Sequence, residues 1–389
     1  MELLKTPRII NTRLYFIDNI RVFLTVLVIF HHVAITYGAD GSWYYLEHTQ
    51  NTIFNSVLSN FTGFNQIYFM SLFFLIAGYF TPGSYDRKGT GSFLKERFLR
   101  LGIPLLVFFF VLSPIVEYIK DVTLNKVKFS FWEFYQYNIL IKFNLCPGPL
   151  WFVETLLVFS VIYAIWRLSF ANVLSTCEER KDMLLTNKKV IIFIMLLSLV
   201  TFAVRTVFPV GTEYFHLQLG YYPHYISLFI MGIVIYRKDW ISDLSGEFGK
   251  RWIGLTLAVI IFIGLIIEPI LFSVFYTEDK LICGGFTWQS LLHSSFESFG
   301  CVGMCITLLY IFQKKMNSQK SAVSKLLARN AYTVYIIHAP IIVVLALLVK
   351  DRMMHPLIKL LIVSVIGSFI CFFVSQFIIR KLPYIKKVL

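Results

Sequence analysis

Arg21 and His32 lie eleven residues apart in a run, Asp18 to Tyr37, that is otherwise almost wholly apolar. At 3.6 residues per turn, eleven residues make close to three turns. The two side chains therefore leave one face of a helix, roughly 16 Å apart along its axis. His31 points about 100° away from that face, which suits packing or a bridge to another helix. Imidazole exchanges a proton near neutral pH, and guanidinium grips carboxylate or phosphate through two parallel hydrogen bonds. In hydrocarbon, ionisable side chains are costly, and their presence points to function.

Other ionisable groups sit in or at the ends of apolar runs: Glu154, Arg205, His224, Glu268, His293, Glu297 and His338. Each costs a few kcal/mol unless it faces a bundle interior, so together they imply a polar cavity. For Arg205, Glu268 and His293 two readings stand: a site, or charged pairs that glue helices together. Glu268 precedes Pro269 near a run's end, which also fits an interfacial position. Glu297 falls one turn after His293, as a local pair would. Arg97 and Arg100 are three apart and so adjacent on a helix face at the membrane surface. They suit bidentate phosphate binding, or simply the anchoring of a cytoplasmic loop. Tyr332, Tyr335 and His338 step by three along one face, and Pro340 predicts a kink just beyond. Tyrosines there also fit an interfacial belt.

The elements that must hold these groups are helices in a membrane. The 389 residues are 57% hydrophobic and only 15% charged, with mean hydropathy +0.70. Apolar runs of about 20 residues recur along the chain, the length that spans a bilayer. The runs predict ten spans, at 18–37, 64–80, 99–119, 149–167, 190–208, 219–236, 252–272, 288–312, 331–349 and 357–379. With both termini cytoplasmic, most of the 36 Lys and Arg fall on the inner side, as the positive-inside rule requires. That bias accounts for the net charge of +14 without any nucleic-acid partner. The fold class is an all-α polytopic bundle forming one domain over 1–389, with short basic tails at 1–17 and 380–389. No cleavable signal peptide is evident. Trp43, Tyr44 and Tyr45 in an outer loop read as interfacial anchors, and 129–137 as an aromatic amphipathic stretch along the surface. The six cysteines form no CxxC and no metal-ligand spacing, so small apolar packing is their expected role and no metal is expected. A Cys146–Cys283 disulfide between outer loops is the one pairing to consider.

Taken together, these pieces resemble the membrane acyltransferase family 3, in a branch concerned with glucan biosynthesis. Arg21…His32 matches the family's Arg/Lys-x10-His pattern. Phe73-Phe-Leu-Ile-Ala77-Gly78 resembles its FFxxSG signature, with Ala77 in place of the usual Ser. Arg97-x-x-Arg100 resembles its RxxR loop. Pro149-Leu-Trp151-Phe152-Val-Glu154 resembles its WFL segment with a following acid, and Tyr335-Ile-Ile-His338 its late YxxH.

The resemblance implies an integral-membrane O-acyltransferase. It would move an acetyl or succinyl group from cytoplasmic acyl-CoA (acetyl-CoA or succinyl-CoA as co-substrate) to a hydroxyl of a glycan or lipid-linked sugar at the outer face. The expected location is the plasma (inner) membrane, in contact with lipid. His32 is then the general base, or alternatively the acyl-carrying nucleophile, with Arg21 and Glu154 as its catalytic companions. Arg97, Arg100, Tyr335 and His338 are expected to bind the acyl-CoA. The rival class is a multispan transporter or flippase for a small solute or lipid-linked sugar, which buried charges also suit. No internal duplication supports it. A structural or sensory role leaves the buried ionisable groups unexplained.

Overall fold

The computed structural model describes residues 13–47, 49–125, 128–143, 147–170, 184–241, 244, 246–267, 284–318 and 321–383. The Cys146–Cys283 pairing and the interfacial Glu268 lie outside these residues. Among the described residues the regular structure is helical, and no strand forms. In hydrocarbon that is forced, because only a helix or a closed barrel satisfies its own backbone polar groups.

The main helices are α1 (Tyr15–Thr36), α2 (Thr52–Arg97), α3 (Ile103–Val107), α4 (Ser113–Asn125) and α5 (Phe131–Tyr135). They are followed by α6 (Trp151–Ser169), α7 (Asn187–Val207), α8 (Tyr222–Lys238) and α9 (Glu247–Val259). The last three are α10 (Trp288–Lys315), α11 (Ala322–Val349) and α12 (Pro356–Phe377). Their starts follow local chemistry. The side chains of Asn51, Thr186, Thr287 and Ser321 each accept a backbone N–H from the first turn of α2, α7, α10 and α11. Short α5 carries a full capping box between Ser130 and Glu133. The Ser130 amide and hydroxyl donate to Glu133 and hold its carboxyl below the usual carboxylate range.

Among the described residues, eight helical stretches are long and apolar enough to cross a membrane, against the ten expected. The protein is thus a multi-pass membrane protein. One stretch, Thr52–Asn125, contains both the second and third expected spans. Two helical segments meet within it at a kink, because Gly89 at φ 70°, ψ 170° is not helical. Only glycine adopts that backbone conformation without strain. The seventh expected span is described as α9 followed by a π-helical segment, Ile260–Ile267, and its last residues lie outside the described chain. Residues 52–63, expected as outer loop, form the opening turns of α2 instead.

Burial has helical period. In α7, Ile191, Met195 and Leu199 are exposed while Val190, Ile194 and Leu197 are buried. In α12, Leu361, Val365 and Phe369 are exposed while Leu360, Ser364 and Gly367 face inward. Apolar stripes on the outside of a bundle are the faces that meet lipid. At the centre, α2 and α8 approach backbone to backbone. A Cβ on Gly78 would sit 2.0 Å from the carbonyl oxygen of Phe229, and one on Gly232 would sit 2.1 Å from that of Leu75. Small residues at such crossings are how membrane helices gain close packing.

Candidate active site

Helix α1 positions the first histidines, and its start is docked. The Asn19 side chain donates to the carbonyls of Met316 (2.6 Å) and Ser318 (3.4 Å) beyond α10. Three turns on, His31 and His32 border a cavity of about 710 Å³. Trp43, Trp151, Tyr222 and Tyr335 also line it, and Gly148, Glu213 and His216 are among the loop residues that complete its wall. The His31 ring packs on Phe69, with centroids 4.9 Å apart, so the packing role expected for it holds while its edge also borders the cavity.

Three rings lie nearly parallel beside this cavity. His32 stacks on Trp43 at 3.9 Å and 12°, and on His338 at 5.4 Å and 19°. Trp43 and His338 are 6.3 Å apart. His338 Nδ1 is 2.6 Å from the carbonyl oxygen of Tyr335. A carbonyl only accepts, so the Nδ1–H donates to it, and Nε2 is the ring nitrogen left over. That Nε2 is buried without a hydrogen bond, as are His31 Nδ1, His32 Nδ1 and Trp43 Nε1. Four orphaned polar nitrogens in one cluster call for a polar occupant, because each buried group left unpaired costs about 1–3 kcal/mol. The Tyr335 hydroxyl donates to the carbonyl of Pro149, which ties α11 to the loop before α6.

The arginines gather at the other end of α1. Arg21 lies over the Phe80 ring at 4.8 Å and beside Asp18 at 3.7 Å. Arg97 lies over Phe93 at 5.0 Å and feels the charges of Arg21, Arg100 and Glu96. Arg100 pairs with Glu96 at 3.2 Å, and the Tyr332 hydroxyl donates to the Arg100 carbonyl at 2.6 Å. Arg97 closes α2, and Arg100 sits in a π-helical turn, Phe98–Gly102. Such turns recur at functional sites because they re-aim side chains.

Of the four residues expected to bind acyl-CoA, Arg97 and Arg100 lie near Arg21, while His338 stacks on His32 and Tyr335 lines the cavity. The helix rise explains the difference. Six residues on one face climb roughly 9 Å, so α11 reaches from Tyr332 at the arginine end to His338 at the histidine end. Glu154 joins neither group. It accepts from, or is paired with, His216 at 3.3 Å, outside the ring cluster. Pro340 stands within α11, where it leaves the Ile336 carbonyl without its usual amide partner.

A second polar knot lies behind the cavity. Arg205 on α7 forms a buried ion pair with Glu297 on α10 and donates through Nε to the Gly220 carbonyl at 3.2 Å. His293 is 3.6 Å from Glu297, and His224 bonds Ser298 at 3.1 Å. Of the two readings open for Arg205, the inter-helix pair is the one formed. Among the described residues no three His, Cys, Asp or Glu side chains converge to hold a metal ion.

Trp43 was the main residue missed. It follows Gly38 and Gly41 in a loop with no helical period to read, and with Tyr44 and Tyr45 it matches an interfacial belt. A ring stack contributes about 0.5–1.5 kcal/mol. Ordering each loop residue costs about 1–2 kcal/mol. The stack alone therefore does not hold this loop.

The cavity lined by histidines and aromatic rings within a bundle of apolar helices, with an arginine cluster at the other end of α1, is the candidate site. Residues 14–380 match the family model described as an acyltransferase domain, and the chain belongs to the acyltransferase 3 family of membrane acyltransferases. It is similar to proteins named glucans biosynthesis protein C. The one from Salmonella schwarzengrund (strain CVM19633) is 25% identical over 340 residues, covering 85% of this chain and 82% of that one. That from Salmonella typhi is similar to the same degree and extent. No solved structure matches the chain.

Proposed function

We propose that the protein moves an acetyl or succinyl group from cytoplasmic acyl-CoA to a hydroxyl of a glycan or lipid-linked sugar at the outer face of the inner membrane. Both termini then lie in the cytoplasm. The observation that carries this reading is His32 at a cavity on one end of the bundle, stacked on the buried His338, with Arg21, Arg97 and Arg100 at the other end. The name of the relatives makes a glucan-like acceptor the first to test. The aromatic walls suit a sugar, whose apolar faces pack on rings while its hydroxyls bond the loops.

The arginine cluster carries three guanidiniums against Asp18 and Glu96, which leaves it net positive and suited to the phosphates of CoA. The thiol-bearing arm follows the face of Tyr332, Tyr335 and His338 toward His32. His32 takes the proton of the acceptor hydroxyl as the oxygen attacks the thioester carbonyl. The carbon–sulfur bond breaks, and the same proton passes from His32 to the departing thiolate. The unpaired Nε1–H of Trp43 is a donor available to the thioester oxygen as it gains charge.

The test uses the full chain in detergent with labelled acetyl-CoA or succinyl-CoA and a glucan acceptor. Wild type is expected to transfer label. His32→Ala is expected to lose at least ~10²-fold in rate while remaining inserted and monodisperse. Retained transfer by that variant removes His32 from its role. Absence of both transfer and thioester hydrolysis in wild type, with solute exchange in liposomes, favours transport instead.

A further inference from the structure

Lys359 is the feature the reading above leaves unused. It sits in the first turn of α12, at the end of the bundle where positive charge is disfavoured, and is only 3% exposed. A buried ammonium persists only when paired. Its Nζ donates to Glu47 Oε1 at 2.7 Å and to the Lys350 carbonyl at 2.8 Å. Glu47 is equally engaged. Its other carboxylate oxygen accepts from the Tyr45 hydroxyl at 3.1 Å, and its amide donates to the Thr36 carbonyl at the end of α1, at 2.7 Å. Burial and the Glu47 carboxylate push the Tyr45 phenol above its ordinary range, so it stays a donor.

The segment between Thr36 and Glu47 is the loop that carries Trp43. Its two ends are pinned together by the Thr36–Glu47 bond, and the Glu47 end is bound to α12 by Lys359. α12 in turn packs along α11, which carries His338. Resting on the assignment of His32 as the base, we propose that Lys359 and Glu47 form a latch that holds Trp43 stacked on His32. They are positioning residues for the imidazole, acting through the loop and touching no substrate. The buried pair ties the loop to the end of α1, which carries His32, and through the Lys350 carbonyl to the end of α11, which carries His338.

The test combines activity with a readout that needs none. Lys359→Met and Glu47→Gln are expected to raise the rate at which diethyl pyrocarbonate labels His32, read by peptide mapping, because the covering ring is released. They are expected to lower kcat ~10-fold with the KM for acyl-CoA unchanged, and Lys359→Arg to restore both. If the latch acts through Trp43, the double variant Trp43→Ala/Lys359→Met is expected to lose no more than Trp43→Ala alone, since coupled sites are non-additive. Unchanged labelling in a monodisperse Lys359→Met protein, or additive losses in the double variant, overturns the latch. Should wild type prove inactive with acyl-CoA, the proposed function fails by itself, and the labelling arm still decides the latch.

Discussion

At the scale of single residues, the site is a set of rings held by bonds to backbone rather than to one another. His338 is fixed by the Tyr335 carbonyl, and Tyr335 by Pro149. The arginines differ: Arg21 and Arg97 lie on aromatic faces, and Arg100 pairs with a carboxylate near solvent. Replacing Arg97 or Arg100 by Gln is therefore expected to raise the KM for acyl-CoA about tenfold, one charge-assisted bond's worth, with little change in kcat. Initial rates across donor concentration, at low and high salt, check this, and a loss confined to kcat would contradict it. That Arg21 and His32 stand on one helix was legible from the apolar run that carries both, whereas the π-helical turn that holds Arg100 after Arg97 was not, since a 3.6 period does not describe it. Glu154 was not, because its partner His216 comes from a loop with positive φ at residues 215 and 216.

At the scale of elements, the position of the histidines depends on how closely α2 and α8 pack. Phe73 of α2 lies 6.1 Å from Tyr335, and Phe74 packs on Phe152 at 4.7 Å. Moving α2 by one side-chain thickness moves the floor on which those rings rest. Gly78→Val places atoms on the Phe229 carbonyl and is expected to cost about 1–3 kcal/mol in stability and part of the activity. Thermal unfolding in detergent measures the first, and an unshifted midpoint would contradict the packing argument. The glycine was visible in the motif Phe73-Phe-Leu-Ile-Ala77-Gly78, but its reason was not, since its contact lies on a helix remote in sequence. Helix existence was legible nearly throughout, because apolar runs of bilayer length leave little choice. The turn between the second and third spans was not, since it is made at Gly89 alone, with Tyr85 packed back on Phe93 across it, rather than by a stretch of polar loop.

At the scale of the whole molecule, two polar assemblies share one bundle: the ring cluster at the cavity and the Arg205–Glu297 knot behind it. The knot is a structural pair with a large stake. Removing one partner of a buried ion pair typically costs about 3–5 kcal/mol, because the other charge is left alone in a poor solvent. Glu297→Gln is expected to lower the yield of monodisperse protein and its unfolding midpoint. A variant replacing both residues by apolar side chains of similar volume recovers much of that loss. Chromatographic monodispersity and melting curves separate the two cases. The same pair also constrains how the chain is made. Arg205 is synthesised on α7, and its carboxylate arrives only on α10, after the whole of α8 and α9. Until then α7 holds an unpaired cation that bare lipid tolerates poorly. Arg205 stands in the last turn of α7, so its guanidinium can reach the membrane interface until α10 brings Glu297 to it.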